Sequence, residues 1–99
     1  MFHHLLSLQA GAYQNAAWVL AAAKCGAEDG FGMIGGSAIV APTGEIVARA
    51  LSEDDEVICA DLDLELGDYL RRTVFNFAKH RRTEHYGLIT ERTGAETQV

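Results

Sequence analysis

The only proline of the sequence stands in a turn between two runs of strand-forming residues. Residues 37–41 and 45–51 are rich in Ala, Ile and Val, and Pro42-Thr43-Gly44 separates them. Apolar runs on both sides of a Pro- and Gly-containing turn are typical of a β-hairpin. A second polar turn leads to residues 56–62, a further apolar run. We therefore predict a three-stranded antiparallel meander over residues 37–62.

The segments outside the meander are predicted to be mainly helix and loop. Leu5, Leu8 and Ala12 recur at spacings of three and four, which predicts an amphipathic helix over residues 2–13. The alanine-rich run up to Lys24 suits a continued helix or a buried strand, and periodicity does not decide between them. Residues 25–36 hold five glycines and are predicted to be a loop.

A second helix is predicted after the meander. Asp63 is a suitable N-cap for a helix that runs to Phe75, although Gly67 should weaken its middle by about 1 kcal/mol. Beyond Asn76 the chain is basic and aromatic without a clear period. Residues 93–99 are expected to be a loose tail.

Length and composition indicate one globular domain. The chain has 99 residues, 48% hydrophobic and 22% charged, which excludes disorder of the whole chain. Its longest apolar stretch, residues 16–23, falls far short of the roughly 20 residues that a membrane span needs. The first residues lack the basic region of a secretory signal, so we expect a cytoplasmic location and no membrane partner. Two cysteines are too few for a disulfide framework.

Charge is divided unevenly along the chain. Residues 1–69 carry eleven acidic and two basic side chains, whereas residues 70–99 carry six basic and three acidic ones. A nucleic-acid-binding protein usually presents a strong basic excess on one face. We expect no nucleic-acid partner, and interpret the basic tail as docking on an acidic surface of this chain or of a partner.

Three strings of the sequence form a recognisable combination, namely QAGAYQNAAWVLAAAKCG, GGSAIVAPTGEIVARA and FNFAKHRRTEHYGLI. Together they resemble the C-terminal third of the carbon-nitrogen hydrolase (nitrilase) superfamily, most of all its N-carbamoyl-D-amino-acid hydrolases. The resemblance implies an α+β fold, the C-terminal part of a four-layer α-β-β-α sandwich. It implies mostly antiparallel strands, one covering helix that ends near Asn15, a central strand over 18–24, and a C-terminal helix or tail. Residues 1–92 would form a partial domain.

Enzymes of that superfamily use a Cys-Glu-Lys triad, in which the thiol attacks a carbamoyl, amide or nitrile carbon. Carbamoylases of this kind release the D-amino acid, carbon dioxide and ammonia without a metal or organic cofactor. The strings that carry the triad in the family are absent here, and neither Cys25 nor Cys59 has their surroundings. The resemblance therefore implies a C-terminal fragment with no catalytic residue and no activity of its own.

A few polar residues are candidates for supporting roles. Asn15 stands where helix passes to buried strand, and we expect its amide to tie down backbone there. His3 and His4 are adjacent on a helix and cannot share one face, so no metal site is expected. Ser37 follows two glycines but lacks the G-x-S-x-G pattern of a nucleophile elbow, and we interpret it as a strand-start serine.

The tail that resembles the family is expected to contact another subunit. The chain would then form a homo-oligomer, or associate through an exposed sheet edge and this tail. An alternative is a stand-alone interaction or oligomerisation module derived from the family. The candidate subunit-interface residues are Phe75, Phe77, His80, Arg81 and Tyr86.

Overall fold

The computed structural model describes residues 1–94, and the prediction of a loose tail over 93–99 lies largely outside them. Helices and antiparallel strands make up the described part, which confirms the α+β class. In chain order the elements are α1 (Phe2–Asn15), β1 (Val19–Ala21), β2 (Cys25–Glu28), β3 (Phe31–Ile34), β4 (Ala38–Val40), β5 (Ile46–Arg49), α2 (Asp68–Arg72), α3 (Phe77–His80), a 3-10 turn (Thr83–His85) and α4 (Gly87–Glu91).

Helix α1 ends at Asn15, inside a sequence whose alanine content favours a longer helix. Ala16 adopts the left-handed conformation, with φ 49° and ψ 46°, and its N–H donates to the carbonyls of Ala12 and Tyr13. The N–H of Ala17 also donates to Ala12 O, at 3.0 Å. Such bonds end a helix by satisfying its last carbonyls. Ala16 is fully buried, so packing offsets the roughly 1–2 kcal/mol that alanine loses in this conformation.

Three strands form the main sheet, in the order β1-β4-β5. Strands β4 and β5 pair antiparallel around the turn at 41–45, which confirms the predicted hairpin. Strand β1 pairs antiparallel with β4, with Leu20 opposite Ile39. The strand expected over 18–24 is therefore only three residues long and lies at a sheet edge, whereas β4 is the central strand.

Helix α1 covers one face of this sheet. Leu5 and Ala12 of the helix form a buried cluster with Ala38 and Val40 of β4, and Leu8, Val19 and Ile46 pack around it. Two side chains of α1 also contact backbone before β4 and in the β4–β5 turn. His4 Nε2 lies 3.0 Å from Gly36 O, and Gln9 Nε2 donates to Gly44 O at 2.9 Å.

The predicted loop over 25–36 is wrong, because β2 and β3 form a two-stranded hairpin there. Asp29 and Gly30 connect the strands with φ values of 51° and 81°, and Glu28 pairs with Phe31. Two consecutive residues with positive φ are the mark of a type I′ turn, for which Asp-Gly is a preferred pair. The many glycines of this segment therefore favoured a loop prediction, although Asp29-Gly30 is a hairpin turn signal.

The third strand predicted over 56–62 is also absent, since these residues belong to no ladder in the described structure. The sheet takes β1 as its third strand instead, so the order is not a simple meander. The helix predicted over 63–75 is confined to α2, after a turn at residues 64–67. Gly67 is buried against α1: a Cβ there would lie 2.1 Å from Ala16 O.

The molecule is flat. Its extents are 48 × 43 × 16 Å and its radius of gyration is 17.9 Å, against about 13 Å for a compact domain of this length. Its accessible surface is 7711 Å², whereas a compact monomer of this mass exposes about 5,500 Å². One helix layer and one sheet layer account for the thickness. Within residues 1–94, no helix is long and apolar enough to cross a membrane.

Candidate functional site

A polar cavity lies at the end of the main sheet where the β2–β3 hairpin leaves it. Its volume is about 300 Å³. Backbone of β-strand ends forms one wall, and the acidic turn after β5 forms the other. The lining residues whose side chains carry a thiol, hydroxyl or carboxyl group are Cys25, Ser37, Ser52, Asp54, Asp55 and Glu56.

Glu56 organises the acidic turn. Its carboxylate accepts from the N–H groups of Leu51 and Ser52, at 3.1 and 3.0 Å, and from Ser52 Oγ at 2.8 Å. These donors stabilise the charged form, so the Ser52 N–H, the Ser52 hydroxyl and the Leu51 N–H hold the pKa of Glu56 below its ordinary value. The sequence pattern does not signal this role of Glu56, because a Ser and a Glu four residues apart do not match the capping-box spacing of three.

The two cysteines are free, and neither is in an activated position. The Sγ atom of Cys25 lies 3.8 Å from Asp55 Oδ1, an acceptor rather than the positive charge that activates a nucleophilic thiol. Lys24 precedes Cys25, but its ammonium group pairs with Glu28. Cys59 is exposed in the unpaired segment over 56–62. No Cys-Glu-Lys constellation is therefore assembled from residues 1–94.

Ser37 and His4 hold backbone together near the same cavity. Ser37 Oγ accepts from Ala23 N–H at 2.8 Å, which joins the start of β4 to the chain beyond β1. The carbonyl of Gly36 can only accept, so His4 donates through Nε2 at the other side of that strand start. Both side chains act on backbone groups. This agrees with the interpretation of Ser37 as a strand-start serine.

Asn15 lies in the last turn of α1. Its Nδ2 donates to Gly11 O at 2.8 Å, within the same helix, and the side chain is exposed. The junction with the following segments is made by other groups, namely the left-handed Ala16 and Gly67 packed on its carbonyl. A supporting role for Asn15 stays a prediction.

The five candidate interface residues fall into two groups. Phe75 is half-buried and packs edge-on against Tyr13 of α1, with ring centroids 5.0 Å apart. Tyr86 is half-buried beneath Arg81, whose Cζ lies 6.0 Å from the ring centroid. Phe77, His80 and Arg81 are exposed. Phe75 and Tyr86 make ring contacts inside this chain, and a role of the five residues at a subunit interface stays a prediction.

No three His, Cys, Asp or Glu side chains among residues 1–94 are grouped to hold a metal ion. The arrangement at the sheet end is thus a set of hydrogen-bond acceptors and backbone anchors. Ser52 Oγ and Cys25 Sγ each lie beside a carboxylate, and the lining residues of the cavity include no Lys, Arg or His. The hydrogen bonds of the site position chain segments relative to one another.

Comparison with known proteins shows which family has this architecture. The family model described as carbon-nitrogen hydrolase matches residues 1–72, which span α1, both hairpins and α2. The crystal structure of a carbon-nitrogen hydrolase from Helicobacter pylori G27 is similar, with a TM-score of 0.77 and 26% sequence identity. The likeness covers 92% of this chain and 33% of that one, so this chain spans about a third of its length. The chain belongs to the carbon-nitrogen hydrolase family.

Proposed function

We propose that this chain is part of an enzyme that hydrolyses N-carbamoyl-D-amino acids to the D-amino acid, carbon dioxide and ammonia. The family match over residues 1–72 supports the part of the proposal that concerns hydrolysis of a carbon-nitrogen bond. The substrate class rests on the strings that resemble carbamoylases. Two of them form the α1–β1 passage and the β4–β5 hairpin, the elements that build the core.

Residues 1–99 alone are proposed to be inactive. Catalysis of this type needs an activated thiol, a base and a positive charge at one point. Lys24 and Lys79 are the only lysines of the sequence. Lys24 is paired with Glu28, and Lys79 lies on α3, a separate element of the C-terminal segment. Lys24 adjoins Cys25 in the sequence, but its ammonium group is paired with Glu28 and the Cys25 thiol lies against Asp55.

The test has two arms. Residues 1–99 are incubated with N-carbamoyl-D-phenylalanine, and ammonia release should equal that of the Cys25→Ser, Cys59→Ser variant. In the second arm, residues 1–92 replace the corresponding third of an N-carbamoyl-D-amino-acid hydrolase. The chimera should hydrolyse the D-substrate and leave N-carbamoyl-L-phenylalanine untouched. Turnover by residues 1–99 contradicts the inactivity, and a folded chimera that acts on neither enantiomer contradicts the substrate class.

A second candidate function is an interaction or oligomerisation module. It is favoured by the exposed side chains of the C-terminal segment, where Phe77 is 47% exposed. Phe77 and Arg81 line an open cavity of about 420 Å³ with Ala78 and Thr83. Size-exclusion chromatography with an intact carbamoylase tests this function. Co-elution that Phe77→Ser, Arg81→Ser removes would support it, and separate elution would contradict it.

A cytoplasmic setting is part of the proposal. The two thiols are free, as is usual where the surroundings are reducing. Fractionation of cells that produce the chain would test the location.

A further inference from the structure

The turn of the β2–β3 hairpin holds the only Asp or Asn of the sequence that is followed by glycine. Asp29 and Gly30 form this turn, and both residues are exposed. Every other Asp or Asn precedes a residue with a Cβ, which crowds the backbone nitrogen that follows the carboxyl or amide side chain. Because Gly30 has no Cβ, its nitrogen is free to approach the carboxyl carbon of Asp29 closely.

The two groups that would react have no other partner. In the part of the chain that the structure describes, the Asp29 carboxylate makes no hydrogen bond and no ion pair. The N–H of Gly30 makes no backbone hydrogen bond. The pair that flanks the turn is Glu28 and Phe31, so the ladder does not engage the two central residues. Asp29 and Gly30 therefore lose no bond when they react with each other.

Little holds this hairpin closed. Strands β2 and β3 form a two-stranded sheet of their own, separate from the main sheet. Gly26 and Gly32 stand in its strands and supply no side chain to the cross-strand pairs, and a Cβ at either position would meet no atom within 4 Å. A two-stranded hairpin by itself is marginally stable in water. The turn is therefore expected to open by local unfolding while the main sheet stays formed.

Opening of the turn is required for the reaction. Asp29 and Gly30 are held at φ 51° and 81° in the closed turn. To bring the Gly30 nitrogen against Asp29 Cγ, the chain must rotate about the bond between Cα and the main-chain carbonyl carbon of Asp29, which breaks the turn conformation. Opening also releases Asp29 from the left-handed region, which is costly for a residue with a side chain.

We propose that Asp29 is a modification site, at which the chain converts to isoaspartate through a cyclic imide with Gly30. The Gly30 nitrogen loses its proton and bonds to Asp29 Cγ, and a carboxyl oxygen leaves as water. Water then adds to the former main-chain carbonyl carbon of Asp29 and breaks the bond from that carbon to the Gly30 nitrogen. The water released equals the water consumed, nothing is oxidised or reduced, and the mass of the chain is unchanged.

The product differs from the parent chain at the turn. The main chain now runs through Cβ and Cγ of residue 29, and the free carboxylate lies on Cα. An exposed isoaspartyl carboxylate is the acceptor of enzymes that transfer a methyl group from S-adenosylmethionine, forming a methyl ester and S-adenosylhomocysteine. Such an enzyme therefore serves as a specific probe. The inference does not depend on the proposed substrate, since it uses only the hairpin.

The test ages residues 1–99 for several weeks at neutral pH and body temperature. Trypsin then releases residues 25–49, because Lys24 and Arg49 flank them. We expect this peptide to gain a second chromatographic form of the same mass that accepts labelled methyl groups. An endoproteinase that cleaves before Asp should not cut this form at residue 29. The form should accumulate at no less than about a tenth of its rate in a free peptide of residues 25–34.

Two variants serve as controls. Asp29→Glu keeps the negative charge but would have to close a six-membered imide, so methyl acceptance should be absent. Gly30→Ala places a Cβ beside the attacking nitrogen, and alanine at φ 81° also favours an open turn. Methyl acceptance should nevertheless fall below that of the parent. Amides of β4 should stay protected from hydrogen exchange in the aged parent chain, which separates local opening from global unfolding.

Any of four results would overturn the inference. They are methyl acceptance no greater than that of Asp29→Glu, parental acceptance by Gly30→Ala, acceptance that maps outside residues 25–49, and accumulation slower than about a tenth of the rate in the free peptide. The last result would show that the hairpin holds Asp29 closed against the reaction.

Discussion

At the residue scale, Gly67 leaves no room for a side chain, because a backbone atom that is distant in sequence lies close to it in space. A Cβ at Gly67 would lie 2.1 Å from Ala16 O, and a carbonyl cannot retreat without moving the end of α1. Gly67→Ala should therefore lower the free energy of unfolding by about 1–3 kcal/mol, measured by urea denaturation.

Gly11→Ala is the matched control for Gly67→Ala. Gly11 lies inside α1, and a Cβ there meets no atom within 4 Å. Alanine favours a helix interior over glycine by about 1 kcal/mol, so this variant should gain stability. Equal effects of the two substitutions would contradict the close packing of residue 67 on Ala16.

The carboxylate of Glu56 gives a pH dependence with a definite sign. Its pKa is lowered in the folded chain from 4.5, because the donors of Ser52 and Leu51 bind only the charged form well. The contribution to stability is complete above pH 4.5 and is lost as pH falls through the lowered pKa. Below it, the amides of Leu51 and Ser52 should lose hydrogen-exchange protection.

An NMR titration of the Glu56 side chain checks this prediction, with a midpoint expected below 4.5. Ser52→Ala removes one of the three donors and should move the midpoint upward while leaving the two N–H groups in place. A midpoint at or above 4.5 in the parent chain would show that the turn does not hold the carboxylate.

At the scale of elements, α1 binds the sheet through one stripe of side chains. Leu5 is buried against β4, whereas Leu6, the next residue, is 49% exposed. Leu5→Ala should cost about 2–5 kcal/mol of unfolding free energy, and Leu6→Ala about 1 kcal/mol or less. Both variants change helix propensity equally, so the difference in urea denaturation isolates packing. Equal losses of unfolding free energy would contradict this orientation of α1, in which Leu5 faces the sheet and Leu6 does not.

The elements that sequence predicted well are those whose partners are close in the chain. The spacing of Leu5, Leu8 and Ala12 is sufficient for α1, and the Pro42-Thr43-Gly44 turn is sufficient for the β4–β5 hairpin. The β2–β3 hairpin was missed although Asp29-Gly30 signals its turn, because glycine-rich flanks hid the strands. Local pattern alone was enough to predict α1 and the β4–β5 hairpin.

The prediction of a strand over residues 56–62 was wrong for a different reason. The side chains of residues 56–62 satisfy the strand pattern, but a strand needs a ladder, and a ladder depends on residues elsewhere. Likewise the end of α1 depends on packing at Ala16 and Gly67, which no local preference encodes. Local sequence specifies what a segment is able to do, and the available partner decides whether it does so.

At the scale of the whole molecule, the sheet has one face covered by α1 and an opposite, partly open face, on which Ile39 is buried and Leu20 is exposed. Leu20 lies on the open face and is 62% exposed, beside Val57. Its replacement by lysine removes apolar surface without burying a charge. Leu20→Lys should therefore change the free energy of unfolding by no more than about 0.5 kcal/mol. It should also reduce the fluorescence of an apolar dye bound to the chain, since such dyes report contiguous apolar surface.

Ile89→Lys is the control for the open face. Ile89 is 75% exposed on α4, remote in sequence from the sheet, and the substitution makes the same change in polarity. Dye fluorescence should fall more with Leu20→Lys than with Ile89→Lys, because only Leu20 belongs to the sheet face. A loss of stability with Leu20→Lys as large as that with Leu5→Ala would mean that both faces are packed in the isolated chain. The open sheet face would then not explain why the accessible surface of the molecule exceeds that of a compact monomer.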